Sequence, residues 1–376
     1  MARSKRPTKP APRGSSYLVT GVEEEVFASR PKLGENRSKS ARPKSKPATP
    51  APKPADGELR EIVVDTALLE SIGIRDAVRQ KLTVPPPADT RIEARARTAV
   101  RELARCGPGE EDATIKYLTG LGPGAIGFVA HVFPGPLWFD RHSAHGNPPG
   151  GSKVSGMAKA LVSFGRAATP HVAVLLEADH TDVRYYAVLV AEDIRDPDLL
   201  LPLAQRIFDP DPQISRIAVR AMVPLRRHAD MGLVRAALTQ AATGSTTHVE
   251  YRLRAIHAVA ELRDVEFVPV LIDLVEAKEP SLATAAEAAL TRLTCHSAGR
   301  SSRKWLAWHK RHKGVPRIDW LVEGLESGDE AMRATAGREV VLETGQDFGF
   351  LAEAPKKERA AVVKRYRKWS RGTGDG

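Results

Sequence analysis

The chain has 376 residues, with 57 Lys and Arg against 46 Asp and Glu, a formal net charge of +11, 28 prolines, two cysteines and 5% aromatic residues. Two distant cysteines, Cys106 and Cys295, exclude a disulfide framework, the lack of any C-x-x-C pair excludes the usual zinc clamp, and no run of about 18 uncharged apolar residues offers a membrane span. The opening residues MARSKRPTKPAPRG are followed by no apolar stretch of the kind a secretory signal needs, so a cytoplasmic protein with no membrane partner is expected.

Charge is distributed unevenly. Residues 1–57 hold 13 basic and 5 acidic side chains, residues 295–317 hold seven basic and no acidic ones, and residues 355–371 hold eight basic and one acidic. Those stretches carry +8, +7 and +7, which leaves −11 on the remainder. The uniform basic footprint of a nucleic-acid-binding domain is therefore missing. Residues 1–57, above all RSKSARPKSKPATPAPKP at 37–54, are rich in Lys, Ser and Pro and poor in bulky apolar groups. Such a segment cannot bury enough surface to offset ordering entropy, so it reads as a disordered basic tail. Inside it, YLVTGVEEEVF at 17–27 is either an incidental apolar island or a short recognition segment.

Residues 58–168 read as an N-terminal helical cap and an irregular first repeat. Helices are expected at 59–81, 91–105 and 113–132, with a break at Gly122, Pro123 and Gly124, and residues 139–155 form a long Gly/Pro/His loop. From residue 169 a unit recurs: an apolar helix, a short Asp-containing turn, then a second helix opening on an apolar residue and Arg. Residues 169–266 hold the first copies. Aligning the second helices superposes Arg184, Arg216, Arg252, Ala283 and Arg333, at steps of 32, 36, 31 and 50 residues, a spacing typical of stacked helical hairpins. Asp182, Asp211 and Asp329 lie where a carboxylate accepts from the free N–H groups of the second helix.

Residues 267–371 are a duplication at a separation of 50, matching Leu271 with Leu321, Ala286 with Ala336, Thr294 with Thr344 and Gly299 with Gly349. Each copy ends in a third, basic amphipathic element. The first is SSRKWLAWHKRHK, with Trp305 and Trp308 one helical turn apart; the second is KKERAAVVKRYRKW, ending at Trp369.

The apolar, Asp-turn, Val-Arg and Ala-rich pattern resembles HEAT repeats, including the HEAT-like units of phycobilisome lyases. FPGPLWFDR at 133–141, VRYYAVLVAEDIRDPDLLLPLAQRIFDPDPQISRIAVRAM at 183–222, and KWLAWHKRHKG together with TGQDFG at 344–349 resemble a bacterial, myxobacterial-type family of HEAT-repeat proteins. In the first duplicate the segment matching QDFG is instead CHSAG at 295–299. The resemblance implies an all-α fold, a right-handed α-solenoid of about five hairpins used as an adaptor, and it implies no chemistry.

Each chemical alternative has a bland counterpart. HEAT-like di-iron hydroxylases use His-Glu dipeptides, of which this chain has none. Trp305 and Trp308, with Lys304, Lys310, Arg311, Lys313 and the more distant Trp369, could pair base stacking with phosphate contacts; at i and i+3 the same indoles suit the buried face of a helix. Cys295, His296, His309 and His312 have poor spacing for tetrahedral metal, GGSKVSG at 150–156 lacks phosphate-loop spacing, and Ser301-x-x-Lys304 lacks companion motifs. No cofactor, metal or catalytic set is expected. Arg184, Arg216, Arg252 and Arg333 should pair with turn carboxylates of the adjacent unit, Asp182, Asp211 and Asp329 among the candidates, as a stacking ladder; the alternative is that they line a surface for an acidic peptide. The expected function is a non-enzymatic scaffold for a protein partner, with nucleic-acid binding through the tail and Trp/Lys patches second and a HEAT-type lyase or DNA glycosylase third.

Overall fold

The computed structural model describes residues 66–87 and 89–372; the basic tail at 1–57 and the 17–27 segment lie outside the described residues. Every regular element among the described residues is helical, apart from one isolated antiparallel bridge between Leu137 and Ser155. None of these helices is long and apolar enough to cross a membrane.

The chain opens with α1 (Thr66–Ser71) and α2 (Ile74–Lys81), where one helix over 59–81 was expected. The break falls at Gly73, whose φ of 73° lies in the left-handed region that glycine occupies without a Cβ clash. Next come α3 (Glu93–Leu103), α4 (Asp112–Gly120), α5 (Ile126–His131) and α6 (Gly156–Phe164). The recurring units follow as α7 (Thr169–Leu176) with α8 (Thr181–Ile194), α9 (Leu200–Arg206) with α10 (Pro212–Met222), and α11 (Met231–Thr243) with α12 (Val249–Leu262). The duplicated part comprises α13 (Val268–Leu274), α14 (Pro280–Thr294) and α15 (Ser302–His312), then α16 (Arg317–Gly324), α17 (Glu330–Thr344) and α18 (Lys356–Gly372).

Pairing is sequential. First helices touch the next first helix through the series α3, α5, α7, α9, α11 and α13, and second helices do the same through α4, α6, α8, α10, α12 and α14. At the last step α14 meets α16, and α16 pairs with α17. The region assigned to a cap and one irregular repeat thus contributes two pairs of its own, α3 with α4 and α5 with α6. The second was hidden because 24 residues separate its helices, where the other turns are short. The helix pair at the chain's described start does not extend this row: α2 packs on α9 and α11, and Lys81 pairs with Asp230.

Two apolar clusters hold the chain together. The larger runs from Leu68 to Trp320; the smaller gathers Cys295, Leu321, Leu325, Ala336, Val340, Val363 and Tyr366 around α16, α17 and α18. The 50-residue repeat is physical as well as textual. α14 ends at Cys295 with φ 49° and α17 at Gly345 with φ 68°, and Gly299 and Gly349 follow at φ 61° and 75°. The Thr294 hydroxyl donates to the Leu290 carbonyl at 2.7 Å and accepts from His296 N–H at 3.2 Å; Thr344 repeats both bonds with Val340 and Gln346 at 2.7 and 3.0 Å. The loop so formed receives an aromatic side chain from the third helix, Trp305 Nε1–H donating to the Gly299 carbonyl at 2.8 Å in one copy and the Tyr366 hydroxyl to the Gln346 carbonyl at 3.0 Å in the other.

Trp305 is 0% exposed and among the largest fully buried side chains. Replacing it by Ala should therefore lower unfolding free energy by about 3–5 kcal/mol. The urea midpoint of the full chain reads this, and a loss below about 1 kcal/mol would show that the indole is not a core element.

Candidate interaction site

The expected ladder of arginine–carboxylate pairs does not form among the described residues: of the four arginines only Arg184 reaches a turn carboxylate of the next unit, and that is Asp209 rather than Asp182, Asp211 or Asp329. Counting from each second helix's N-cap, the fourth position is Arg184, Ser215, Arg252, Ala283 and Arg333; Arg216 lies one residue later and is exposed. The sequence alignment slipped by one at α10, because Ile214 and Ile217 set its buried face. At this position the side chains mostly satisfy carbonyls at the end of their own first helix. Arg184 Nη1 donates to the carbonyls of Ala178 and Asp179 at 2.9 and 2.6 Å, Ser215 Oγ to that of Ile207 at 2.6 Å, Arg252 Nε to that of Ala242 at 2.9 Å, and Arg333 Nη1 to those of Ser327 and Gly328 at 3.0 Å each. Arg184 also grips the next turn, donating through Nε to the buried Asp209 carboxylate at 2.8 Å, and Arg333 Nε reaches past its hairpin to the Ala352 carbonyl at 2.9 Å.

Helix caps differ in the same way. Asp211 and Asp329 cap α10 and α17, accepting from Gln213 and Ala331 N–H at 2.8 and 2.9 Å. Asp182 does not cap α8: His180 does, its Nδ1 accepting the Asp182 N–H at 3.2 Å, and His248 caps α12 likewise at 3.3 Å. Asp182 instead faces Arg141 from the long loop, 3.6 Å from its Nη1. Arg141 is buried, stacks on the Tyr185 ring at 4.3 Å and pairs with Asp211, which clips the loop onto α8 and α10. GGSKVSG is a packing joint: Ser152 N–H donates to the Asp193 carboxylate at 2.8 Å, and a Cβ on Gly151 would sit 2.5 Å from the Leu189 carbonyl oxygen.

The tryptophans are packed away. Trp308, 3% exposed, is sandwiched between the imidazoles of His296 and His312, at ring separations of 5.5 and 4.2 Å, and meets Trp305 and Trp320 edge-on. Burial, reinforced by His312 and Arg311, holds the His296 pKa down and favours the neutral imidazole. Burial also pushes the Cys295 thiol up to about 12, which removes it as a thiolate ligand or nucleophile. Lys304, Lys310 and Arg311 of α15 and Lys313 at its C-cap are exposed. Trp369 lies half-buried on α18, which packs on α16 where α15 packs on α13. The indoles and cations of the candidate patch thus do not form a stacking platform.

A different cluster forms where the C-terminal ends of α10, α12, α14 and α17 converge. Glu339, 4% exposed, accepts from Arg263 Nε and Nη2 at 2.8 and 3.2 Å and from Arg317 Nη2 at 2.9 Å, with Arg292 Nε 3.6 Å away. Arg317 also donates through Nη1 to Glu343 at 3.0 Å and through Nε to the Leu293 carbonyl at 3.0 Å. Arg292 pairs with Glu261, and Arg226 and Arg227 approach Glu343 at 3.7 and 3.8 Å. Five guanidiniums thus face three carboxylates. Burial pushes the Glu339 carboxyl up, but the hydrogen bonds and charges of Arg263 and Arg317 outweigh it and hold the group below its ordinary 4.5.

These features define an all-helical protein of sequentially paired helices, tied at one edge by buried charge. Comparison with protein-family models gives no match, and a search of curated proteins gives none.

Exchanging Glu339 for Gln removes the carboxylate that Arg263 and Arg317 share, leaving Arg317 only Glu343, and should cost about 3–5 kcal/mol at neutral pH. Because the folded-state pKa is depressed, this contribution is fully present above the ordinary 4.5 and is lost as pH falls through the lower folded value. The stability gap between wild type and Glu339→Gln should therefore close on acidification below about pH 4.5. A gap that is the same at about pH 7 and about pH 3 would show that the carboxylate is not what holds the cluster.

Proposed function

We propose that the chain is a non-enzymatic HEAT-type α-solenoid that serves as a scaffold for a protein partner. The observation that carries this reading is the two-layer order of helix pairs from α3 to α14, in which each pair touches its neighbours along the row. Pairs stacked in this way bury one another's apolar faces and leave extended, rigid edges on which a partner docks with little loss of conformational entropy. The second reading, nucleic-acid binding by aromatic stacking and phosphate contact, is disfavoured by the burial of Trp305 and Trp308.

The test is affinity capture with the full chain from nuclease-treated extract, followed by reconstitution with the purified candidate across a salt titration. The expected result is a defined protein that binds after nuclease treatment and remains bound at about 150 mM salt. Capture that vanishes on nuclease treatment, with nucleic acid as the only retained species, overturns the scaffold reading.

A further inference from the structure

The cluster at the converging helix ends has cations left over. Glu339 is saturated by Arg263 and Arg317, and Glu261 by Arg292. Arg226 and Arg227, neighbours in sequence, approach the two different oxygens of Glu343 at 3.7 and 3.8 Å, beyond hydrogen-bond reach. Arg226 makes only a long bond to the Val223 carbonyl at 3.4 Å. Its side chain is 23% exposed, whereas that of Arg227 is 80% exposed. The pair therefore forms a mouth: one guanidinium held at the protein surface among like charges, the other open to solvent, both with N–H groups to spare. Burial, offset by Glu343 and reinforced by the charges of Arg227, Arg263 and Arg317, pulls the Arg226 pKa down. An anion entering here would relieve that crowding.

The charge at the edge selects the anion. Among the described residues of the cluster guanidiniums outnumber carboxylates, a surplus that a phosphoryl dianion offsets more fully than a single carboxylate does. Paired guanidinium forks also match the several oxygens of a phosphoryl group. We infer that Arg226 and Arg227, backed by Arg317 and Arg263, form a binding site for the phosphoryl group of a phosphorylated protein segment. The inference deepens the scaffold reading by naming what the partner must carry.

The full chain is titrated at constant ionic strength with inorganic phosphate, N-acetyl-phosphoserine amide, N-acetyl-serine amide and a short DNA duplex, with thermal midpoint and NMR shifts of arginine side chains as readouts. Phosphoserine amide should raise the midpoint saturably and bind at least as well as inorganic phosphate, and serine amide should give no response. Arg227→Gln, at an exposed position, should weaken phosphoserine binding about tenfold with an unchanged midpoint in its absence. Glu343→Gln, which removes the competing carboxylate, should strengthen it. Equal responses to serine and phosphoserine amides, or an unaltered affinity in Arg227→Gln, overturns the site. Tighter inorganic phosphate than phosphoserine amide, or tighter duplex binding that also depends on Arg227, overturns the assignment to a protein segment. The two readings fail separately: a missing phosphate response leaves nuclease-resistant capture standing, and a phosphate response without any captured protein sinks the scaffold while leaving the anion site.

Discussion

The structure depends on a carboxylate that has nowhere to go but into guanidiniums. Glu339 is buried on α17, and its partners come from the end of α12 and the start of α16, with Arg292 of α14 close by. A buried anion of this kind is tolerated only when each of its oxygens is hydrogen-bonded. Satisfying it forces the C-terminal ends of three second helices toward one point, and Glu343 one turn further on draws in the segment after α10. Apolar packing along the row supplies most of the attraction but is itself non-directional, whereas hydrogen-bonded charge is directional. The charge cluster fixes how far the pairs can open. Arg263 illustrates the constraint: it adopts φ 56°, unfavourable for a residue with a Cβ, and there its side chain reaches across 76 residues of sequence to Glu339.

The two duplicated units show what a repeat must keep and what it can exchange. Both retain the threonine that bonds back into its helix and then caps the following turn, and both retain the glycine five residues later. Between them the copies diverge. The first inserts His296 against Trp308, a flat stack in a dry setting; the second packs Phe348 on Tyr366 at 4.6 Å and lays Arg365 over Phe348 at 4.6 Å. The left-handed residue at the helix end is Cys295 in one and Gly345 in the other. Cys295 sits there because its side chain fills space in the smaller core, 2.6 Å from where a Cβ on Gly324 would lie, so its conformational cost is offset by packing.

Helix pairs and the burial of Trp305 and Trp308 are legible in sequence because each depends on short-range periodicity, and the duplication is legible because its copies match residue by residue at a fixed offset of 50. The α5 and α6 pair was not, since a 24-residue connection hides two helices that no local pattern joins. Alignment on the arginines superposes Arg216 with Arg184, Arg252 and Arg333, yet the residue four places after the Asp211 cap is Ser215, because the buried face of α10 is set by Ile214 and Ile217. His180 and His248 went unread as caps for the same reason that Asp182 was preferred: a carboxylate is the commoner acceptor, and only the backbone angles reveal which residue precedes the first turn. The cluster at Glu339 left no sequence signal at all. Arg226, Arg263, Arg292 and Arg317 are scattered over 92 residues, and their convergence is a property of stacking rather than of spacing.

Charge along the row follows from helix electrostatics before it serves any partner. Carboxylates such as Asp211 and Asp329 cap the starts of second helices, and arginines gather at their ends, each where the helix dipole favours it. At most positions the arginines are consumed internally, by main-chain carbonyls in the case of Arg252 and Arg333 and by Glu339 in the case of Arg263 and Arg317. Where the segment after α10 meets α17, the number of arginines outruns the carboxylates, and Arg226 and Arg227 remain facing outward. The net charge of +11 on the whole chain pointed first to the tail and to the basic helices α15 and α18. The charge that the fold holds in place and concentrates is the smaller surplus at that convergent edge, where Arg226 and Arg227 share the one carboxylate of Glu343, and recognition by a rigid surface draws its selectivity from charges so held.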